Sequence, residues 1–154
     1  MKFYYLLGYL LRPFGLLSLY AYSIVTKNAR VRVVIHNEKD EILLVRTWLG
    51  GDKWGLPGGG VHSGEKPEMT VQRELREETG LTVPVELLEQ LLVFRATGHD
   101  EIVFTVSIKA DSVALTSPNK YEIKDIAWFS PDELPSLEPL AKRIMHIVAR
   151  NRSV

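Results

Sequence analysis

The sequence has no cysteine. That excludes disulfides, thiolate metal sites and a cysteine nucleophile. It also has no surplus of either charge. Lys plus Arg and Asp plus Glu number 19 each, so no global field draws the chain to nucleic acid or to an acidic membrane, and any electrostatic function must be local. Internal repeats, low-complexity tracts and internal linkers are missing too. What is present is 154 residues, 45% apolar and 25% charged, enough for one globular domain with a real core.

Long hydrophobic runs are confined to the N-terminus. Phe3 to Val25 reads "FYYLLGYLLRPFGLLSLYAYSIV". Arg12 and Pro13 interrupt it with a charge and a helix breaker, leaving two pieces too short to cross a bilayer alone. The expectation is an extra apolar helical segment over residues 1–28 that packs on the domain or across a homodimer. Contact with a membrane surface is the second reading, and a span or a signal peptide ending near Ala21–Ser23 the third. The expected location is the cytoplasm.

From Ala29 onward the pattern is that of a mixed domain. "ARVRVVIHN" (29–37) and "EILLVRTW" (41–48) are β-branched strands joined by a polar turn at Glu38–Asp40. "LGGDKWGLPGGG" (49–60) has six glycines and a proline, which makes it a loop. Pro67 suits a first helical turn and Gly80 a C-cap, so a helix is expected from Pro67 to about Thr79. "VPVELLEQLLVFRA" (83–96) and "EIVFTVSIKA" (101–110) are further strands separated by "TGHD". "IKDIAWF" (123–129) is a short strand, and "SPDELPSL" (130–137) a turn. Glu138 to Asn151 is a terminal helix with Leu140, Ile144, Ile147 and Val148 on one side.

The stretch "GGGVHSGEKPEMTVQRELREETGL" (58–81) raises the functional question. Five glutamates lie between Glu65 and Glu78. At 100° per residue Glu74, Glu77 and Glu78 fall within an arc of about 100°, with Val71 and Leu75 on another face for the core. Carboxylates so crowded repel unless a cation holds them. All-oxygen ligation favours a hard ion, Mg²⁺ or Mn²⁺. A solvated acidic helix face is the plain alternative. The glycines just upstream tilt the balance, because they let a backbone come close to a metal and a phosphate.

Gly59, Glu65 and Arg73-Glu74-Leu75-Arg76-Glu77-Glu78-Thr79-Gly80-Leu81 resemble the signature of the Nudix hydrolase family at every fixed position. "WGLPGGGV" before it and "EIKDIAWFSPDELP" after it look like Nudix flanks, so the similarity covers about residues 29–151, within a domain taken as 29–154. The resemblance implies an α/β/α sandwich around a mixed sheet and hydrolysis of a nucleoside diphosphate linked to another group. It implies Glu77 and Glu78 as metal ligands, Glu74 as a ligand or the base that activates water, and the Gly59 carbonyl as a further ligand. It implies that Arg73 pairs with Glu65 as a brace.

Outside that signature the candidates thin out. Glu122, just before the last strand, is a second general-base candidate, with a strand-end surface charge as the alternative. Asp100 and Glu101 are weaker ones, and His99 reads as a loop residue. Arg46 could reach a phosphate and Trp54 could stack on a base, although an exposed strand-end charge and a core-covering indole are equally good readings. "VFRATG" (93–98) lacks the proline common in ADP-ribose-cleaving members, and no tyrosine follows where dinucleotide cleavers carry one. The favoured expectation is therefore a nucleoside triphosphate or a broad range of nucleotides. The rival readings are a non-catalytic nucleotide-binding module and a membrane-surface protein acting on a sugar nucleotide or dinucleotide.

Overall fold

The computed structural model describes residues 29–112, 117 and 119–152. The N-terminal segment expected to pack as helices lies outside the described residues. Five strands, β1 (Arg30–His36), β2 (Ile42–Thr47), β3 (Glu89–Ala96), β4 (His99–Ser107) and β5 (Ile123–Phe129), form one sheet in the order β3-β4-β1-β2-β5. The β1/β4 pair is parallel and the others antiparallel, so the sheet is mixed. Helices α1 (Pro67–Thr79) and α2 (Pro139–Arg152) cover its two faces.

Alternation along the strands builds two cores. Val31, Val33 and Ile35 of β1 join Leu43 and Val45 of β2 under Val71 and Leu75 of α1. Val34, Ile42 and Leu44 point the other way, onto Ala141, Ile144 and Val148 of α2. On α2 the buried stripe therefore runs through Ala141, Ile144 and Val148, a spacing of three and four that leaves Ile147 at its margin. Helix α1 starts with Pro67 at its first turn and stops at Gly80, whose φ of 75° lets its N–H reach the Arg76 carbonyl at 3.1 Å.

Two strand boundaries differ from the sequence expectation. Residues 83–88 are not strand; after Pro84 the chain makes a single 3-10 turn at Val85–Leu87 and pairs only from Glu89. The "TGHD" spacer shrinks to a two-residue turn, with Thr97 (φ 50°) and Gly98 (φ 85°) both left-handed, so β4 begins at His99. That geometry matches the twist of a tight hairpin.

The glycine loop is less free than its composition implies. β1 and β2 pair only at the His36–Ile42 end and then separate. Residues 55–61 take up the exposed edges: Val45 and Gly55 exchange two backbone bonds, Val33 N donates to the Pro57 carbonyl at 3.0 Å, and Val31 N donates to that of Gly59 at 2.9 Å. Gly58 has φ 140°, and a side-chain carbon there would overlap the Val31 carbonyl. Gly58→Ala should therefore cost about 3 kcal/mol or more and lower the melting temperature by roughly 8 °C. Gly60, whose missing side chain would meet nothing, should accept alanine with a change under about 0.5 kcal/mol. Thermal denaturation of both variants checks this; equal melting points would mean the loop can shift aside.

Candidate active site

Two carboxylates of α1 close on the glycine segment. Glu74 lies so near Gly59 that a side chain at 59 would collide with its carboxylate. Glu78 accepts the Gly58 N–H at 2.9 Å. Glu78 is only 6% exposed, buried with Val71 and Leu75, because it projects within about 20° of Val71 around the helix. Glu77 stays half exposed. The acidic face is thus graded from buried to open rather than uniform.

Burial shapes the electrostatics. It pushes the Glu78 carboxyl up to about 8, against the pull of the Gly58 N–H and with a further push from the charge of Glu74. Glu74 is raised as well, mainly by burial, although Arg73 donates to it at 2.7 Å. Glu122 contributes to both upward shifts, so its charge reaches this side of the molecule; its own carboxylate accepts from the Asn119 amide at 3.1 Å.

Arg73 organises the loop end. Its Nε and Nη2 fork onto the two oxygens of Glu65 at 3.1 and 3.2 Å, and Nη2 also reaches the Gly60 carbonyl at 3.0 Å. Thr70 and the His62 N–H complete the shell of Glu65, two partners that the sequence did not point out. This shell, led by Arg73, holds Glu65 down at about 2. Burial alone would lower the Arg73 pKa, but its bonds to Glu65 and Glu74 raise it.

The remaining candidates sit elsewhere. Arg46 is bound to Asp125, with Nε at 2.8 Å, and its guanidinium lies 5.1 Å from the Trp54 ring centre. Trp54 packs edge-on against Phe129 at 4.8 Å. Arg46 and Trp54 therefore meet each other, and Asp125 already balances the arginine. Glu101 is 1% exposed. Asp100 faces Arg95 at 3.7 Å, both largely exposed.

A divalent cation fits the chemistry of the acidic cluster: the donors are all oxygen, Glu78 is buried with no cationic hydrogen-bond partner, and Glu74 is partly buried beside it. Their arrangement is not a finished cage. Among the described residues no three His, Asp or Glu side chains stand at coordinating geometry, since Glu74 turns to Arg73, Glu78 to Gly58, and Glu77 stays outward. The Gly59 carbonyl already accepts from Val31, leaving one lone pair for any further partner.

The family model described as NUDIX domain matches residues 26–150. The chain belongs to the Nudix family. Its helix α1 and the glycine segment before it form the Nudix box. Over 51 residues it is 41% identical to the RNA pyrophosphohydrolase of Acinetobacter baylyi, a match covering 33% of this chain and 30% of that protein. Over 99 residues it is 32% identical to the nucleoside triphosphatase NudI of Escherichia coli, covering 53% and 64%. The chain thus spans less than two thirds of either relative. The MutT protein of Methanosarcina mazei shares the fold with a TM-score of 0.63 and 27% identity, over 82% of this chain and 96% of that one. Among the described residues no helix is long and apolar enough to cross a membrane.

Removing the Arg73 brace should cost stability. Arg73→Ala is expected to lose about 2 kcal/mol and roughly 5 °C in melting temperature. Because the folded pKa of Glu65 is depressed to about 2 from the ordinary 4.5, its contribution is complete above about 4.5 and disappears as pH falls toward 2. Melting curves between pH 6 and 2.5 should show this loss in the wild type and a smaller one in Arg73→Ala; parallel curves would contradict the brace.

Proposed function

We propose that the protein is a metal-dependent Nudix pyrophosphohydrolase. It cleaves a phosphoanhydride bond in a nucleoside diphosphate derivative, with nucleoside triphosphates as the favoured substrate class. The observation that carries this reading is the approach of Glu74 and Glu78 to the Gly58–Gly59 backbone, which brings acids and a glycine cradle together. The name of one relative, a nucleoside triphosphatase, supports the substrate class, and that of another, an RNA pyrophosphohydrolase, the type of bond cleaved. Cytoplasmic location, and packing of residues 1–28 on the domain or across a homodimer, are part of the proposal on sequence grounds.

Glu74, Glu77, Glu78 and the Gly59 carbonyl would hold Mg²⁺ or Mn²⁺. The bound ion would supply charge neutralisation of the phosphates, the main obstacle to attack on a pyrophosphate. The chain's own residues set the rest. The glycine segment, stitched to β1, lets the α1 carboxylates reach its backbone. Glu74, or Glu122 from the loop before β5, accepts the proton of the attacking water. The new bond joins the water oxygen to phosphorus, and the anhydride bond breaks with its electron pair on the departing phosphate. Arg46 and Trp54 form a cation–aromatic platform offered to the rest of the nucleotide.

A panel of nucleotides with Mg²⁺, with phosphate and pyrophosphate release measured separately, tests the reading. At least one nucleotide should be turned over. Glu78→Gln should lower kcat on it by roughly 100-fold or more, with an unchanged circular dichroism spectrum, because it keeps shape and removes a ligand charge. Unchanged turnover in this variant would remove Glu78 from the site, and no turnover of any nucleotide by the wild type would overturn the reading.

A further inference from the structure

Arg30 and Arg32 stand two apart on β1, so they share one face of the sheet. It is the face of Val34 and Val103, covered by α2. Arg30 is in register with Glu101 on the parallel neighbour β4, which places their side chains on that face together. A pair of arginines and a glutamate within an apolar sheet face is an expensive arrangement unless each group is satisfied.

They are not equally satisfied. Arg32 is committed: Nη1 donates to the Gly58 carbonyl at 2.8 Å, and Nε stands 3.7 Å from a Glu101 oxygen. That distance is an ion pair but not a hydrogen bond. Glu101, though 1% exposed, keeps this same oxygen without a hydrogen-bond partner, and the buried Nε of Arg30 has none either among the described residues. The backbone of Arg30 bridges to Gly60 of the Nudix box, and its charge interacts with Glu101, Glu74 and Glu78. Arg30 thus feels the charge of both the buried glutamate and the box acids. Burial and the neighbouring Arg32 lower its pKa, so the charge is a cost to the folded state and not a support for it.

We propose that Arg30 is a substrate-binding residue whose guanidinium, left without a hydrogen-bond partner at Nε, donates to a phosphate oxygen of the nucleotide held at the box. A planar guanidinium suits a phosphate better than an ammonium does, because it offers parallel donors. Its backbone bridge to Gly60 sets it beside the glycine segment of the box, whereas Arg46 is already neutralised by Asp125. The inference rests on the nucleotide reading of the site and adds a residue outside the box to it.

The test uses the full chain, wild type, Arg30→Gln and Arg30→Lys, with Mg²⁺. Binding of α,β-imido analogues of the four common nucleoside triphosphates is measured by calorimetry, KM and kcat on the hydrolysed nucleotides by product release, and stability by thermal melting. Arg30→Gln should weaken analogue binding roughly 10- to 100-fold, raise KM by a similar factor, and do so equally for all four bases, since a phosphate contact carries no base information. Its melting temperature should be unchanged or higher, as for a residue whose burial is a cost. Arg30→Lys should recover part of the affinity. A fallen melting temperature with unchanged binding would make Arg30 a structural ion-pair partner and overturn the inference, as would base-selective loss or failure of the wild type to bind any analogue. If the wild type binds analogues through Arg30 but turns over no nucleotide, the inference stands and the hydrolase reading fails; if it turns nucleotides over and Arg30→Gln does so with the same KM, the reverse holds.

Discussion

The hydrogen bond from Val31 N to the Gly59 carbonyl, with its companion from Val33 to Pro57, is the constraint on which the site depends. β1 and β2 separate after one end of their pairing, and the glycine segment supplies the missing edge. Backbone donors and acceptors in a sheet must be paired; the segment satisfies those of β1 and is fixed by them in return. Only glycine fits at 58, where the Val31 carbonyl stands in the way; at 59 a side chain would push aside the Glu74 carboxylate. The glycines thus allow the α1 acids to come down onto the backbone.

Around that contact the charges are arranged in a gradient. At the loop end Glu65 and Arg73 lock each other in the ionised state, with the carboxyl held at about 2. Toward the core, Glu74 and Glu78 are raised by burial, the latter to about 8. One pair is a fixed structural link, while burial weighs against the charge of the other two groups, a setting suited to acids that meet a cation. Arg32 couples this gradient to the opposite sheet face by bonding the Gly58 carbonyl while facing Glu101.

Much of this was legible in the residues, for physical reasons. Pro67 and Gly80 mark the two ends of α1 because each has a backbone preference that fits only there. The strands announce themselves by β-branched alternation, and the box by its spacing. What stayed hidden depends on contacts between distant segments. "LGGDKWGLPGGG" has no apolar period, so its role as a sheet edge cannot be read from it. Asp125, which neutralises Arg46, lies 79 positions away. Glu78 looked like one of three equal acids until its small angular offset from Val71 buried it. Arg30 and Arg32 alternate with valines, a pattern that ordinarily means a solvated strand face; the buried Glu101 in register with Arg30 on β4 could not be read from it.

The central claim is that the acids gathered over Gly58 and Gly59 form one cation site. The most direct measurement is titration of the protein with Mn²⁺ at neutral pH, following free Mn²⁺ by electron paramagnetic resonance, for wild type and for the paired Glu74→Gln, Glu78→Gln variant. The wild type should remove Mn²⁺ from solution in a saturable way that Mg²⁺ competes away, and the variant should bind at least tenfold more weakly while keeping its fold. Equal Mn²⁺ binding by the two proteins, or none by the wild type with or without a non-hydrolysable nucleotide, would contradict the account.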